Sequence, residues 1–387
     1  PPRSTLFPYT TLFRSHASRR LLSACVKPIR VCPCQNNGVL LTPLPELPGV
    51  SYVMPVLNEE GYLESAVRTI LAQDYAGEKQ IVLALGPSSD RTDEIALKMA
   101  AEDPRVSLVP NPERDIPIGL NLAIAASVHP VVVRVDAHSE LTPDYTSRGI
   151  EALRREGAAN VGGVMRAGGR SPVQRAIAAG YNSPYGLGGG AYHGDGTPGP
   201  AESAYLGIFH REAIDAAGGY DPIIRRGEDW ELNLRIRREG GLVWFEPTLS
   251  VTYWPRASFR DLAKQFFATG AWRAVLTKRH PRETPWRFYA PGTLVLGLAL
   301  SLIVLVLQLC GVLPLQGAAA WWSIVHAAPL LYALAVLFAC TRLPDLHGVR
   351  ERLLGLWALI TMHLSWGTGF LYGIVGGAGR TVDKSRM

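Results

Sequence analysis

Acidic side chains are missing from residues 1–45, where Arg3, Arg14, Arg19, Arg20, Lys27 and Arg30 are the only formal charges. The net charge of +6 is the charge of that segment, because the 33 Lys and Arg that follow balance the 33 Asp and Glu. The rest of the chain therefore lacks the basic surplus that drives nucleic-acid binding, and no nucleic acid is expected as a partner. Cysteine is scarce too, five in 387 residues. No disulfide framework follows from so few, and Cys32 and Cys34, with no second pair, are too little for a zinc site. Cys310 and Cys340 stand in apolar runs and read as packing residues. The third absence is of charge towards the C-terminus. None occurs in 293–313, 321–340 or 353–375, and each run is long enough to cross a bilayer.

The acid-free segment contains Thr5-Leu6-Phe7-Pro8-Tyr9-Thr10-Thr11-Leu12-Phe13-Arg14-Ser15, which resembles the conceptual translation of a short-read sequencing adapter. Residues 1–45 are accordingly expected to be foreign to the fold and disordered. An Arg- and Ser-rich targeting peptide is the other reading.

From residue 50 the chain alternates. A strand over 50–57 precedes Leu63, Ala66, Val67, Ile70 and Leu71 at helical spacing. Strands follow at 81–85, 106–109 and 131–135, with helices at 92–101 and 117–127 between them. This β-α-β-α-β-α-β order predicts an α/β fold with a mostly parallel sheet and right-handed crossovers. Further on, the pattern predicts helices at 143–156, 211–217 and 228–238, strands at 161–165 and 243–246, and an amphipathic helix at 259–277. The Gly-rich stretch 186–200 reads as a mobile loop over a site or as a plain linker.

Lys278, Arg279, Arg282 and Arg287 precede the first apolar run, Arg342, Arg350 and Arg352 separate the second from the third, and 314–320 is uncharged. The positive-inside bias then puts the large N-terminal domain in the cytoplasm. With three crossings Arg380, Lys384 and Arg386 fall outside, against the bias; a re-entrant third segment is the alternative.

Chemistry points to Val131-Val132-Val133-Arg134-Val135-Asp136-Ala137-His138-Ser139. The β-branched run suits a strand buried on both faces. Asp136 and His138 follow at its carboxyl end, where open α/β sheets bind ligands, and their spacing sends both to one side. A carboxylate and an imidazole together can hold a divalent cation, and the cation a diphosphate. The plain alternative is a capping Asp beside an exposed His. Asp229, at the start of the helix 228–238, could likewise be only a cap.

Together these residues resemble the inverting family 2 glycosyltransferases with a GT-A fold, of the membrane-bound kind that builds succinoglycan and other exopolysaccharides. The resemblance runs from about residue 50 to the C-terminus. It is carried by Met54-Pro55-Val56-Leu57-Asn58-Glu59, by Val133-Arg134-Val135-Asp136-Ala137-His138, by Gly219-Tyr220-Asp221 and by Gly227-Glu228-Asp229-Trp230-Glu231-Leu232. It implies that Asp136 and His138 hold Mn²⁺ or Mg²⁺ on a nucleotide-sugar diphosphate, the imidazole favouring Mn²⁺. It implies Asp229 as catalytic base, with Glu228 tuning it. Pro55, Leu57, Glu59, Ser88, Asp90 and Arg134 then belong to the donor site. After the second strand the family's acidic turn is replaced by Leu85-Gly86-Pro87-Ser88-Ser89-Asp90, so the resemblance does not extend to a UDP donor. The Q-x-x-R-W motif of processive synthases is absent. Gln265, Trp272 and Arg273 form a looser arrangement which, with Trp230, reads as a contact for acceptor or product, or as ordinary amphipathic packing.

The resemblance therefore implies a GT-A domain at 50–257, an interfacial helix and linker at 258–290, a membrane region of about three helices at 291–376 and a tail at 377–387. The expected reaction is transfer of a sugar to a lipid-linked saccharide at the inner face of the cell membrane. A polyprenyl-phosphate sugar synthase, using Arg225, Arg226 and Arg256, is one alternative. A catalytically inactive membrane scaffold is the other.

Overall fold

The computed structural model describes residues 41–187 and 196–379. The segment up to residue 40, the centre of the Gly-rich stretch at 188–195 and the tail from 380 lie outside the described residues. Residues 41–45, placed by the sequence in the foreign segment, are fastened to the domain. The Thr42 N–H donates to the Glu212 carboxylate at 2.8 Å, and the Thr42 carbonyl oxygen lies 2.8 Å from His210 Nε2. Leu41 and Leu44 pack on the core. The boundary of the domain thus lies before Leu41.

In chain order the elements are β1 (Val50–Val56), α1 (Leu63–Leu71), β2 (Lys79–Leu85), α2 (Thr92–Glu102), β3 (Val106–Pro110), α3 (Ile116–Ala126) and β4 (Val131–Arg134). Then come β5 (Ser139–Leu141), α4 (Tyr145–Glu156), β6 (Asn160–Ala167), α5 (Pro172–Tyr181), α6 (Pro184–Leu187), β7 (Gly199–Pro200), β8 (Tyr205–His210), α7 (Arg211–Ala217), α8 (Glu228–Arg238) and β9 (Val243–Tyr253). The helices α9 (Phe259–Arg279), α10 (Ala290–Leu309), α11 (Ala327–Thr341) and α12 (Gly348–Gly376) complete the chain, with a 3₁₀ segment at Gly317–His326 before α11.

The sheet runs β3-β2-β1-β4-β8-β6-β9-β5, with β7 beside β9. Its first four strands are parallel, as the alternating pattern requires; β8 is antiparallel to both neighbours, while β6 and β9 pair in parallel. Five elements escape the periodicity reading: β5, α6 and β7 are very short, Gly207 breaks the apolar pattern of β8, and α5 shows its start only in Ser171, which caps it by accepting from the Gln174 N–H. β9 also runs on to Tyr253, well past residue 246.

The sheet is buried on both faces, and alternate residues serve alternate layers. Val50, Tyr52, Met54, Val131 and Val133 face the layer of α1, α2 and α4, while Val53 and Val132 face that of α3, α7 and α8. Every residue of β4 is buried. Each such apolar side chain contributes roughly 1.5–3 kcal/mol relative to exposure, so the strand that delivers Arg134 and Asp136 is rigidly held. α9 packs Leu262 and Phe266 on Met165 of β6 and Tyr253 of β9, and in the same cluster on Ala358 and Met362 of α12. Among the described residues three segments, Trp286–Leu309, Ala320–Thr341 and Gly348–Gly376, are long and apolar enough to cross a membrane.

Candidate functional site

β1, β2 and β4 are parallel and in register, with Val53 opposite Arg134 and Val56 opposite Leu85. Their carboxyl ends therefore open at one edge, and the loops that follow build a common rim. The first two loops are knitted together. Asn58 has φ of 53°, a left-handed conformation that Asn tolerates. Its N–H donates to Ser88 Oγ (3.2 Å) and its Oδ1 accepts from the Ser89 N–H (2.7 Å). Asp90 accepts from the Thr92 and Glu60 N–H groups. Burial works against the Asp90 charge, but these donors outweigh it and hold its carboxyl below the ordinary range. Ser88 and Asp90 thus shape the rim from within. Leu57 closes on Gly86, where an added Cβ would sit 3.1 Å from Leu57 Cδ1; Pro55 and Leu57 are both half-buried.

Arg134 is the hub of the site. Its side chain is only 6% exposed, and three carboxylates converge on it. Its Nη2 donates to Asp136 Oδ1 at 3.1 Å and lies 3.0 Å from Glu228 Oε1, while its Nη1 donates to Asp229 Oδ1. Glu228 and Asp229 arrive on the first turn of α8. Its N-cap is Gly227, with φ of 78° and no side-chain cap hydrogen bond. Asp229 is therefore not the cap of this helix; it points to Arg134 instead. The Tyr220 hydroxyl also donates to Asp229 Oδ1, at 3.4 Å. Burial, reinforced by Glu228 and Asp136 and opposed by Arg134, pushes the Asp229 carboxyl up to about 7. Burial works against the Arg134 charge, but Asp229, Asp136 and Glu228 outweigh it and raise its pKa further above the ordinary arginine value. Tyr220 is a site residue that the sequence left without a role, although Gly219-Tyr220-Asp221 was in view.

Glu59 lies beside His138. Its N–H donates to Thr92 Oγ1 at 2.7 Å, and its buried carboxylate meets His138 Nδ1 at 3.2 Å. A carboxylate accepting from Nδ1–H leaves the lone pair of the ring on Nε2, the arrangement that orients metal-ligating histidines. The Tyr253 ring stands edge-on to His138, with centroids 5.2 Å apart. Among the described residues no three His, Cys, Asp or Glu side chains converge as a metal site. Asp136 and His138 fit a cation that takes its remaining ligands from water and substrate phosphates, as Mg²⁺ commonly does.

The residues read as acceptor contacts divide. Arg273 lies 5.7 Å from the ring centroid of Trp230, the residue that follows Asp229, and 4.3 Å from that of Phe288. Gln265 bonds the hydroxyls of Tyr253 and Tyr181, on the His138 side. Trp272 is buried among Ile224, Leu234 and Leu276.

Comparison with known proteins follows the same lines. The family described as "Glycosyl transferase family 2" matches residues 51–217. The succinoglycan biosynthesis protein ExoA of Rhizobium meliloti (strain 1021) is 30% identical over 328 residues, 82% of this chain and 92% of its own length. The dolichyl N-acetyl-alpha-D-glucosaminyl phosphate 3-beta-D-2,3-diacetamido-2,3-dideoxy-beta-D-glucuronosyltransferase of Methanococcus voltae is 22% identical over 251 residues, 62% of this chain and 77% of its own. Among solved structures, the mannosyltransferase PcManGT from Pyrobaculum calidifontis, in complex with GDP-Man and Mn²⁺, superposes with a TM-score of 0.53 at 17% identity. That superposition covers 87% of this chain and 90% of the other, a likeness of fold. By its family match, its similarity to ExoA and its fold, the chain belongs to glycosyl transferase family 2 and is a glycosyltransferase with a GT-A fold.

Proposed function

We propose that this glycosyltransferase moves a sugar, with inversion, from a nucleotide-sugar to a lipid-linked saccharide at the cytoplasmic face of the cell membrane, in exopolysaccharide or other envelope glycan synthesis. One observation carries the reading: Asp136 and Asp229 meet on the guanidinium of Arg134. Asp136 stands at the strand ends where a donor diphosphate would lie. Asp229 opens α8 beside Trp230, on the side of the helices that lead to the membrane. Arg134 fixes the distance between the two functions.

Inversion in a single displacement needs one base. Asp229 Oδ1 is engaged by Arg134 and Tyr220, so Oδ2 takes the proton from the acceptor hydroxyl. A carboxyl held near 7 is matched to that task at neutral pH. Glu228 shares Arg134 and keeps a second negative charge close, which helps to raise Asp229. Asp136 and His138 would hold Mn²⁺ or Mg²⁺, which when bound neutralises charge on the leaving diphosphate. Glu59 sets the ring of His138 for this.

The names of the relatives support the acceptor class: one is a succinoglycan biosynthesis protein, the other transfers to a dolichyl-linked sugar phosphate. A synthase acting on bare polyprenyl phosphate would want spare cations, yet Arg225 is paired with Asp115 at 2.8 Å. Membranes containing the full chain, offered a panel of nucleotide-sugars with either polyprenyl phosphate or polyprenyl-diphosphate saccharides, test this by mass spectrometry of the lipids. Extension of the saccharide is expected. Sugar on the bare lipid phosphate would refute the acceptor assignment.

A further inference from the structure

Three segments have the length and composition to cross a membrane, but α12 is packed differently from the others. In its most apolar window 39% of the residues are buried, against 17% in each of the other two. The catalytic domain and α9 cover much of it, and the start of α10 (Pro291, Gly292) and the end of α11 (Val336, Ala339) cover a further side. At its start Glu351 pairs with Arg175 of α5 at 2.7 Å. At its middle, His363 Nε2 lies 2.7 Å from the Tyr185 carbonyl oxygen of α6. Towards its end the backbones of α9 and α12 touch, and a Cβ on Gly270 would lie 2.0 Å from the Trp366 carbonyl oxygen.

The two helices also run side by side in one direction. Leu262 and Phe266 share a buried cluster with Ala358 and Met362, Ala271 meets Gly373, and Lys278 Nζ donates to the Ile374 carbonyl. From residue 358 to 374 that contact covers roughly 25 Å of α12, close to the full ~30 Å of a hydrocarbon core. If α12 crossed the bilayer, α9 would have to cross beside it. α9 carries Asp261 and Lys264, whose side chains are 37% and 47% exposed, beside Leu262 and so at the level of Ala358, within the apolar run of α12. Arg175 on α5, 43% exposed, lies against the start. Charged side chains at the centre of a bilayer cost about 2.5–3.5 kcal/mol each.

We infer that α12 lies along the cytoplasmic surface of the membrane and does not cross it, its outer face resting on lipid. Leu353, Trp357, Leu364, Thr368, Tyr372 and Val375 form one helical stripe opposite the buried residues Ala358, Met362, Gly369 and Gly373. Of these, Leu353, Trp357, Tyr372 and Val375 are exposed. One face is apolar for protein and the other for lipid, which is why the run has no charged residue and still need not span. The crossing unit is then α10 with the return through the Gly317–His326 segment and α11. The C-terminal end of α12 at Gly376 then stays on the same side as the catalytic domain. Arg380, Lys384 and Arg386 thereby join Lys278, Arg279, Arg342 and Arg350 on one side, and the positive-inside conflict disappears.

The inference rests on the proposed membrane placement, and fusions at Met387 of the full chain separate the two. A fluorescent protein that matures only in the cytoplasm and a phosphatase active only outside are each joined there, and the membrane fraction is assayed. Fluorescence with an inactive phosphatase is expected. An active phosphatase with a dark fluorescent fusion would overturn the in-plane placement while leaving the membrane reading intact. Recovery of the chain in the soluble fraction would overturn both. As a second measurement, Ser385→Cys in a background with all five native cysteines replaced by Ser should react with an impermeant maleimide only after permeabilisation. Labelling in intact cells would count against the inference.

Discussion

Replacing Asp229 by Asn separates catalysis from stability, because the two should move in opposite directions. Asn keeps an oxygen where Arg134 and Tyr220 donate to Oδ1, and it removes the basic oxygen. Loss of a general base lowers turnover by ~10²–10⁴-fold. The effect on stability follows from linkage. The Asp229 carboxyl moves from an ordinary 3.8 to about 7 in the folded protein. A raised carboxyl binds its proton more tightly when folded, so its contribution is most favourable below pH ~4 and is lost as pH rises to ~7. At ~1.36 kcal/mol per factor of ten, the ionised group destabilises the fold at pH 8 by up to about 4 kcal/mol. The Asn side chain has no such charge. The variant should therefore melt higher than the wild type at pH 8, and the gap should narrow as pH falls towards 4. Nucleoside diphosphate release from membranes measures the first effect, and melting in detergent across pH measures the second. Wild-type kcat/KM should also climb through pH ~7, and that inflection should vanish in the variant. An Asn variant that turns over near the wild-type rate would refute the assignment and point to Glu228. One that melts lower at pH 8 would refute the account of why the carboxyl is raised.

Asp136→Asn should fail at a different step, weakening the Mn²⁺-dependent protection of the fold by nucleoside diphosphates while the protein still melts cooperatively; unchanged protection would remove Asp136 from the donor site. Glu59→Ala should weaken the Mn²⁺ dependence of that protection by ~10–100-fold, and no change would mean that the His138 contact has no bearing on metal. Deleting residues 1–40 should leave insertion and activity intact, whereas cutting at residue 45 removes the Thr42 contacts and the packing of Leu41 and Leu44, and should lower the melting temperature. Gly270→Ala should destabilise the detergent-extracted protein by about 1–3 kcal/mol, because its Cβ has no room against the Trp366 carbonyl.

Much of this was written along the chain itself. Apolar periodicity placed β1, α1, β2, α2, β3, α3 and β4 nearly in register with the structure, because each buries a face set by its own repeat. Asp136 and His138 at one strand end, and Glu228-Asp229 at one helix start, were legible because neighbours in sequence stay neighbours in space. What lay beyond reach depends on residues far apart. No local pattern says that Arg134 would gather Asp229, 95 positions on, or that Glu59 would meet His138, 79 positions away. Nor does a pattern say that the helix opening with Glu228 is capped by Gly227, which releases Asp229 from the capping role its position suggested. Hydropathy met the same limit at α12. An uncharged run reports that a helix avoids water, and only its tertiary contacts, those with α5, α6 and α9 among them, decide whether protein or lipid takes the place of water on each face.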